Sequence, residues 1–234
     1  MAEYAAIIPA IFIERPNRFI ALCEVDGEQK VVHVKNTGRC KELLIPGVTV
    51  YLNYVPSKTR KTDYDLIAVR KGPLLINIDS QVPNTIAVEG LLAGQIKLPQ
   101  VKGKIIQVKR EVTYLHSKFD IYFETDLNEK IFVEVKGMTL EDSGIVSFPD
   151  APTLRGLKHV NELSLAVENG YQGAVCFIVQ MSQANYGTIN RNMQPELAVA
   201  IKKAQEKGVA IVVYTCHVTP SQITIKEEIP FKLE

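Results

Sequence analysis

Two carboxylates and a lysine interrupt the otherwise apolar stretch KFDIYFETDLNEKIFVEVKG, residues 118–137. Asp120, Glu134 and Lys136 are the residue types that hold a divalent cation through oxygen ligands and steer a bound water toward an electrophilic centre. An ammonium beside such a pair can orient that water or stabilise charge on a phosphorane-like transition state. Strand side chains alternate faces. Phe119, Ile121 and Phe123 therefore share one face of a first strand, with Asp120 and Tyr122 on the other. On a second strand, Ile131, Val133 and Val135 oppose Phe132, Glu134 and Lys136.

If residues 125–129 form the turn, Glu124 faces Lys130, and counting back sets Asp120 opposite Glu134. The same register stacks Phe119, Ile121 and Phe123 on Val135, Val133 and Ile131. A slip of one residue breaks both matches. Facing Cβ atoms lie roughly 5 Å apart, so the two acids repel unless a proton, a cation or solvent offsets them. Lys136 sits two residues beyond Glu134 on the same face, about 7 Å along the strand. A solvated sheet face lined by Glu and Lys is the bland alternative. Against it, isolated charges among apolar strands are costly.

The elements that must position this hairpin fall into two groups. Residues 1–82 read as short strands: IPAIFIERPN, FIALCEVD, QKVVHVKN, VTVYLNYVP and DYDLIAVRKG. Asp26-Gly27 and Pro46-Gly47 mark tight turns between them. Five short strands so punctuated predict a small barrel or sandwich, with an OB-like barrel among the candidates. Residues 83–234 change character. NTIAVEGLLAGQI reads as a helix capped by Asn84 or Thr85, followed by a strand near 104–115 and the hairpin. A Gly/Ser/Asp/Pro-rich loop is expected over 137–152. Helices over 153–170 and 195–208 then alternate with the apolar strands GAVCFIVQ and VAIVVYTCHV. The expected order is αβββαβαβ, with a mixed sheet covered on both faces.

Composition narrows the function. With 46% apolar and 23% charged residues, the 234-residue chain supports one or two folded cores. Its net charge of +1 supplies no bulk field for polyanions, so phosphate affinity requires a local patch. No apolar run reaches membrane-spanning length. The opening MAEYAAIIPAIF lacks the features of a signal peptide. Cys23, Cys40, Cys176 and Cys216 are not at metal-ligand spacing. A cytoplasmic protein with no membrane partner and no organic cofactor is expected.

The Asp…Glu-x-Lys pattern on adjacent strands between two helices resembles the PD-(D/E)xK nuclease core. That likeness implies Asp120 and Glu134 as ligands of Mg²⁺ or Mn²⁺ and Lys136 as the catalytic lysine. Four longer motifs, VKNTGRCKELLIPG (34–47), SKFDIYF (117–123), FVEVKGMTLED (132–142) and SFPDAPTLRGLKHVNELSLA (147–166), resemble the sugar fermentation stimulation protein A family. The resemblance implies an N-terminal OB-like barrel, a restriction-endonuclease-like C-terminal domain and DNA binding. It also implies either phosphodiester hydrolysis or a non-catalytic regulatory role in maltose metabolism.

Further contacts follow from this reading. Glu89 on the first helix is a candidate accessory metal ligand or a plain solvated acid. Asp150 is expected to cap the next helix. Arg155, Lys158, His159 and Glu162 share a helix face. Arg155 and Lys158 either hold phosphate or face water, and Gln180 could also reach the site. In the barrel, Arg15, Arg18, Lys35, Arg39 and Lys41, with Lys58, Arg60 and Lys61 in a loop, are expected to contact the nucleic-acid backbone. Tyr51, Tyr54 and Tyr64 could stack on bases or pack in the fold. No helix-turn-helix or zinc-finger signature is present, so largely sequence-non-specific binding of single- or double-stranded DNA is expected. A homodimer is a further assembly to consider. An enzyme acting on a small phosphorylated molecule is the third reading.

Overall fold

The computed structural model describes residues 1–36 and 38–233. The first sheet comprises β2 (Ile7–Asn17), β3 (Ile20–Val25), β4 (Glu28–Val34), β5 (Thr49–Tyr54), β6 (Tyr64–Lys71) and β7 (Leu74–Asn77), in the order β4-β3-β2-β5-β6-β7. Parallel pairing of His33 with Asp65 and Val34 with Leu66 joins β4 to β6 and closes five strands into a barrel. Closure removes the exposed strand edges. Phe12, Ala21, Cys23, Val32, Val50 and Leu52 fill its interior. Asp26 and Gly27, at φ +51° and +79°, make the β3–β4 turn. Both values are left-handed, which an Asp-Gly pair tolerates.

The second part contains α1 (Val82–Leu92), β8 (Ile105–Tyr114), β9 (Ser117–Thr125), β10 (Lys130–Met138), β11 (Leu140–Asp142) and β12 (Ile145–Phe148). It continues with α2 (Leu154–Glu168), β13 (Gln172–Val179), β14 (Tyr186–Ile189), α3 (Pro195–Glu206), β15 (Ala210–Thr219) and β16 (Gln222–Ile229). A seven-stranded mixed sheet runs β1-β16-β15-β13-β10-β9-β8, where β1 is Ala2–Glu3. The chain start thus pairs with β16 in this sheet rather than with the barrel. Strands β10, β13 and β15 are parallel. They lie between α1 on one face and the α2–α3 layer on the other, hence their near-continuous apolar sequences.

Several expectations change. The 137–152 loop holds the β11–β12 hairpin, which joins β14 in a small third sheet. Neither Asn84 nor Thr85 caps α1. That helix starts at Val82 after Gln81 and opens on Pro83, which has no N–H to satisfy. Asp150 does not cap α2. Thr153 does, accepting from the Gly156 N–H at 3.0 Å. Strands β7, β14 and β16 also lie outside the expected order.

The β9–β10 turn is pinned through Glu129. Its carboxylate accepts from the backbone N–H groups of Lys102 (3.1 Å) and Gly103 (2.8 Å), the Thr125 hydroxyl (2.8 Å) and the Gln172 amide (3.2 Å). The Gly103 hydrogen bond leads the causes that hold its carboxyl below the usual glutamate value. Glu129→Gln places an NH₂ among donors and should destabilise the fold by about 1–3 kcal/mol at neutral pH. Because the folded-state pKa is depressed, this stabilisation is present above the unfolded-state pKa and is lost as pH falls through the folded-state value. Urea denaturation of both proteins should therefore show a gap at neutral pH that closes in acid.

Candidate functional site

The site grows from the place where the β9–β10 ladder stops. Backbone pairing runs Lys130↔Glu124, Ile131↔Phe123, Phe132↔Tyr122 and Val133↔Ile121, the register set by the 125–129 turn. The next step would place Asp120 across from Glu134, but the backbones no longer pair there. Instead the Val135 N–H donates to Asp120 Oδ2 at 2.8 Å. A side-chain carboxylate takes the role of the strand carbonyl. The Asn84 amide on α1 donates to Oδ1 at 2.9 Å.

Beside this break, β8 carries Glu111 at φ +54°, between the pairs Arg110↔Ile121 and Val112↔Phe119. Phe119 is not stacked over Val135 as the simple alternation required. Its ring lies on the α2 side, 5.1 Å from Phe132 and 6.0 Å from His159. The strand irregularity reverses the facing of the residue before Asp120.

Glu134 is 1% exposed. Oε1 accepts from His159 Nδ1 at 2.5 Å and from the Lys136 ammonium, while Oε2 is buried without a hydrogen-bond partner. The two acids are driven apart electrically. Burial, and then the neighbouring Glu134 charge, push Asp120 above the usual aspartate value. Burial also pushes Glu134 up, but the His159 hydrogen bond and Lys136 outweigh it and hold Glu134 below the usual value. The repulsion is thus offset by nitrogen donors on Glu134 and leaves Asp120 above its usual value.

Asp120, Val135 and Lys136 line a cleft of about 1110 Å³ whose opposite wall is the barrel. Arg15, Arg18, Arg39 and Lys41 come from that wall, and Arg155 from the start of α2. With Lys136 this makes six cationic side chains against the carboxylates Glu14, Asp120 and Asp150. Arg15 is committed to the fold, donating to the carbonyls of Arg18, Asn36, Gly38 and Arg39 at 2.6–2.9 Å. Asp150 receives the Arg39 backbone N–H at 3.0 Å and so ties the barrel loop to the loop before α2. Gly38 is required there, because a Cβ would meet Asp150 Oδ2 at 2.2 Å.

Other expected contacts lie elsewhere. Glu89 pairs with the Met1 amino group and does not line the cleft; α1 presents Asn84 to Asp120 instead. Lys35 pairs with the buried Asp79 at 2.7 Å, and Arg60 with Asp65. Lys58 and Lys61 are exposed, away from the cleft lining. Lys158 donates to the His116 carbonyl at 2.5 Å and braces the β8–β9 turn. Gln180 is buried and holds Asn77 and the Asp79 carbonyl. Tyr54 and Tyr64 pack on each other at 5.2 Å, Tyr51 lies beneath Arg70, and none of the three lines the cleft.

Sequence reasoning missed Asn84 and the role of His159. The signal for His159 was available: Gly156, His159, Val160, Leu163 and Ala166 recur at helical spacing and form the buried stripe of α2. Burial at that position obliges the imidazole to find a polar partner.

Two family models match, the SfsA N-terminal OB domain over residues 13–78 and the sugar fermentation stimulation protein RE domain over residues 81–222. A sugar fermentation stimulation protein homolog of Enterococcus mundtii is 54% identical, the match covering 99% of this chain and 96% of that protein. One from Desulfitobacterium hafniense strain Y51 is 48% identical, covering 99% and 98%. Among solved structures, Pyrococcus furiosus SfsA in complex with Ca²⁺ superposes with a TM-score of 0.84 at 28% identity, covering 98% of this chain and 97% of that one. With the OB-domain match on the barrel, the RE-domain match on the mixed sheet and relatives matched over nearly their whole length, the chain belongs to the sugar fermentation stimulation protein family.

Proposed function

We propose that this chain is a cytoplasmic DNA-binding protein whose cleft grips the phosphate backbone and whose Asp120–Glu134 pair holds Mg²⁺ or Mn²⁺ for phosphodiester hydrolysis. The observation that carries this reading is Glu134 Oε2, a buried carboxylate oxygen with no partner, whose charge acts on Asp120, an acid lining the cation-rich cleft. Such an oxygen fits a hard divalent cation. Among the described residues no cluster of three or more His, Cys, Asp or Glu could hold a metal. Two carboxylates suit Mg²⁺, which commonly keeps waters and completes its shell with substrate phosphate. The likeness to an SfsA structure containing Ca²⁺, another oxygen-seeking cation, supports the same choice. The four buried, unpaired thiols suit a reducing compartment.

When bound, the cation would activate a water and neutralise charge on the phosphate. The chain's own residues supply the rest. Asp120 and Glu134 offer the oxygens, Lys136 Nζ orients the water or the developing charge, and Arg18, Arg39, Lys41 and Arg155 counter the backbone phosphates. One observation favours a second reading. Lys136 Nζ is engaged by Glu134, and no third acid is present among the described residues, an arrangement compatible with a non-catalytic DNA-binding regulator of sugar genes.

Incubating the protein with single- and double-stranded DNA separates the two readings. Cleavage should require Mg²⁺ or Mn²⁺ and fall on the order of 10²-fold or more in Glu134→Gln and Lys136→Met. Binding without cleavage under any divalent ion selects the regulator, and cleavage that survives both substitutions places the activity elsewhere. Arg39→Ala and Lys41→Ala should weaken binding to unrelated sequences equally and each lower the salt dependence by about one counterion. Fluorescence anisotropy across a salt series measures both.

A further inference from the structure

A short chain of side chains runs from the Glu134 carboxylate to the cleft wall. His159, 4% exposed on α2, sets Nδ1 2.5 Å from Glu134 Oε1. Its other ring nitrogen, Nε2, accepts from Arg155 Nε at 3.4 Å, one helical turn back. A guanidinium only donates. Nε2 therefore carries a lone pair and Nδ1 carries the proton that faces Glu134. The Phe119 ring stands edge-on to the imidazole at 6.0 Å and limits its freedom to turn. Lys136 reaches the same Oε1. Both nitrogen donors thus converge on one oxygen, and Oε2, equally buried, is left bare. An unsatisfied buried acceptor is costly, on the order of 1–3 kcal/mol and more when charged. The hydrogen bond from His159, itself held by Arg155, keeps Oε1 occupied and leaves Oε2 as the unfilled atom.

Resting on the cation reading above, we propose that His159 is a positioning residue for cation binding. It occupies Glu134 Oε1 through Nδ1–H, with Arg155 fixing the tautomer, and so presents Oε2 as the open ligand atom. His159 touches neither cation nor phosphate; it acts through Glu134. Because Arg155 also lines the cleft, the same chain joins the phosphate wall to the ligand acid. Metal sites lose affinity when the groups that orient their ligands are removed, typically by about 10–100-fold.

The test is Mn²⁺ calorimetry on the full chain, with thermal melts as the control for folding. Wild-type binding that is lost in Glu134→Gln establishes the site, and absence of wild-type binding removes the cation reading itself. Given that site, His159→Phe fills the same space without a donor and should weaken Mn²⁺ by about 10–100-fold. His159→Asn carries an amide nitrogen close to the position of Nδ1 and should restore most of the affinity. A folded His159→Phe protein that binds Mn²⁺ as the wild type does, or equal losses in Phe and Asn variants, overturns the proposal. If His159→Phe does not fold, ¹⁵N NMR of the wild-type histidines decides. A ring protonated at Nδ1 whose signal moves on Mg²⁺ saturation supports the role, whereas a ring protonated only at Nε2, or one indifferent to Mg²⁺, overturns it.

Discussion

A buried strand N–H must find an acceptor. For Val135 that acceptor is the Asp120 carboxylate and not a backbone carbonyl of β9. The substitution fixes the site in three ways. It places Asp120 beside β10 without rotameric freedom, since Asn84 holds the second oxygen. It fixes the residue between Glu134 and Lys136. And it lets β9 diverge from β10, so that Phe119 turns to the α2 side and packs on Phe132 and His159. The imidazole that orients Glu134 is therefore held by a ring that faces α2 where the ladder breaks.

The electrostatics follow from who supplies the donors. Asp120 is bonded only by neutral amide groups, so burial and the Glu134 charge dominate and raise it. Glu134 has an ammonium and an imidazole on one oxygen, and they overcome its burial. An ammonium and an imidazole add opposite charge that neutral amides lack, so the more deeply buried acid is the one held below its usual value. The barrel's cations divide along a similar line. Arg15 holds the carbonyls of Asn36, Gly38 and Arg39 and Lys35 neutralises Asp79, so both are structural. Their work leaves Arg18, Arg39 and Lys41 at the cleft wall.

Much of this was legible in the sequence because strand periodicity is strict. Once residues 125–129 are the turn, the pairs from Lys130↔Glu124 to Val133↔Ile121 follow. Turn chemistry made the all-β character of residues 1–82 legible but left barrel and sandwich open, and the non-local β4–β6 pairing closes it as a barrel. What stayed hidden depends on non-local contacts. Nothing local to Asn84 distinguishes a cap from a residue that reaches across to Asp120. The short strands β11, β12 and β14 are stable only because they pair with one another. The reversal at Phe119 needs the third strand, β8, whose irregular Glu111 has no sequence signature. Glu89 was misplaced for a simpler reason: α1 turns it toward the chain start, where the Met1 amino group meets it.

On the proposed reading, two carboxylates beside an ammonium leave room in the cation's shell for water and phosphate, as Mg²⁺ commonly requires. A phosphate backbone in the cleft would then add oxygens to that shell while meeting the cationic wall. By linkage, cation and backbone would each raise the other's affinity by the same factor. Under that reading Arg18, Arg39, Lys41 and Arg155 would meet the backbone and the unpartnered Glu134 oxygen the cation. The hydrogen-bonded pair of His159 and Arg155 on α2 connects the Glu134 carboxylate to the cleft wall.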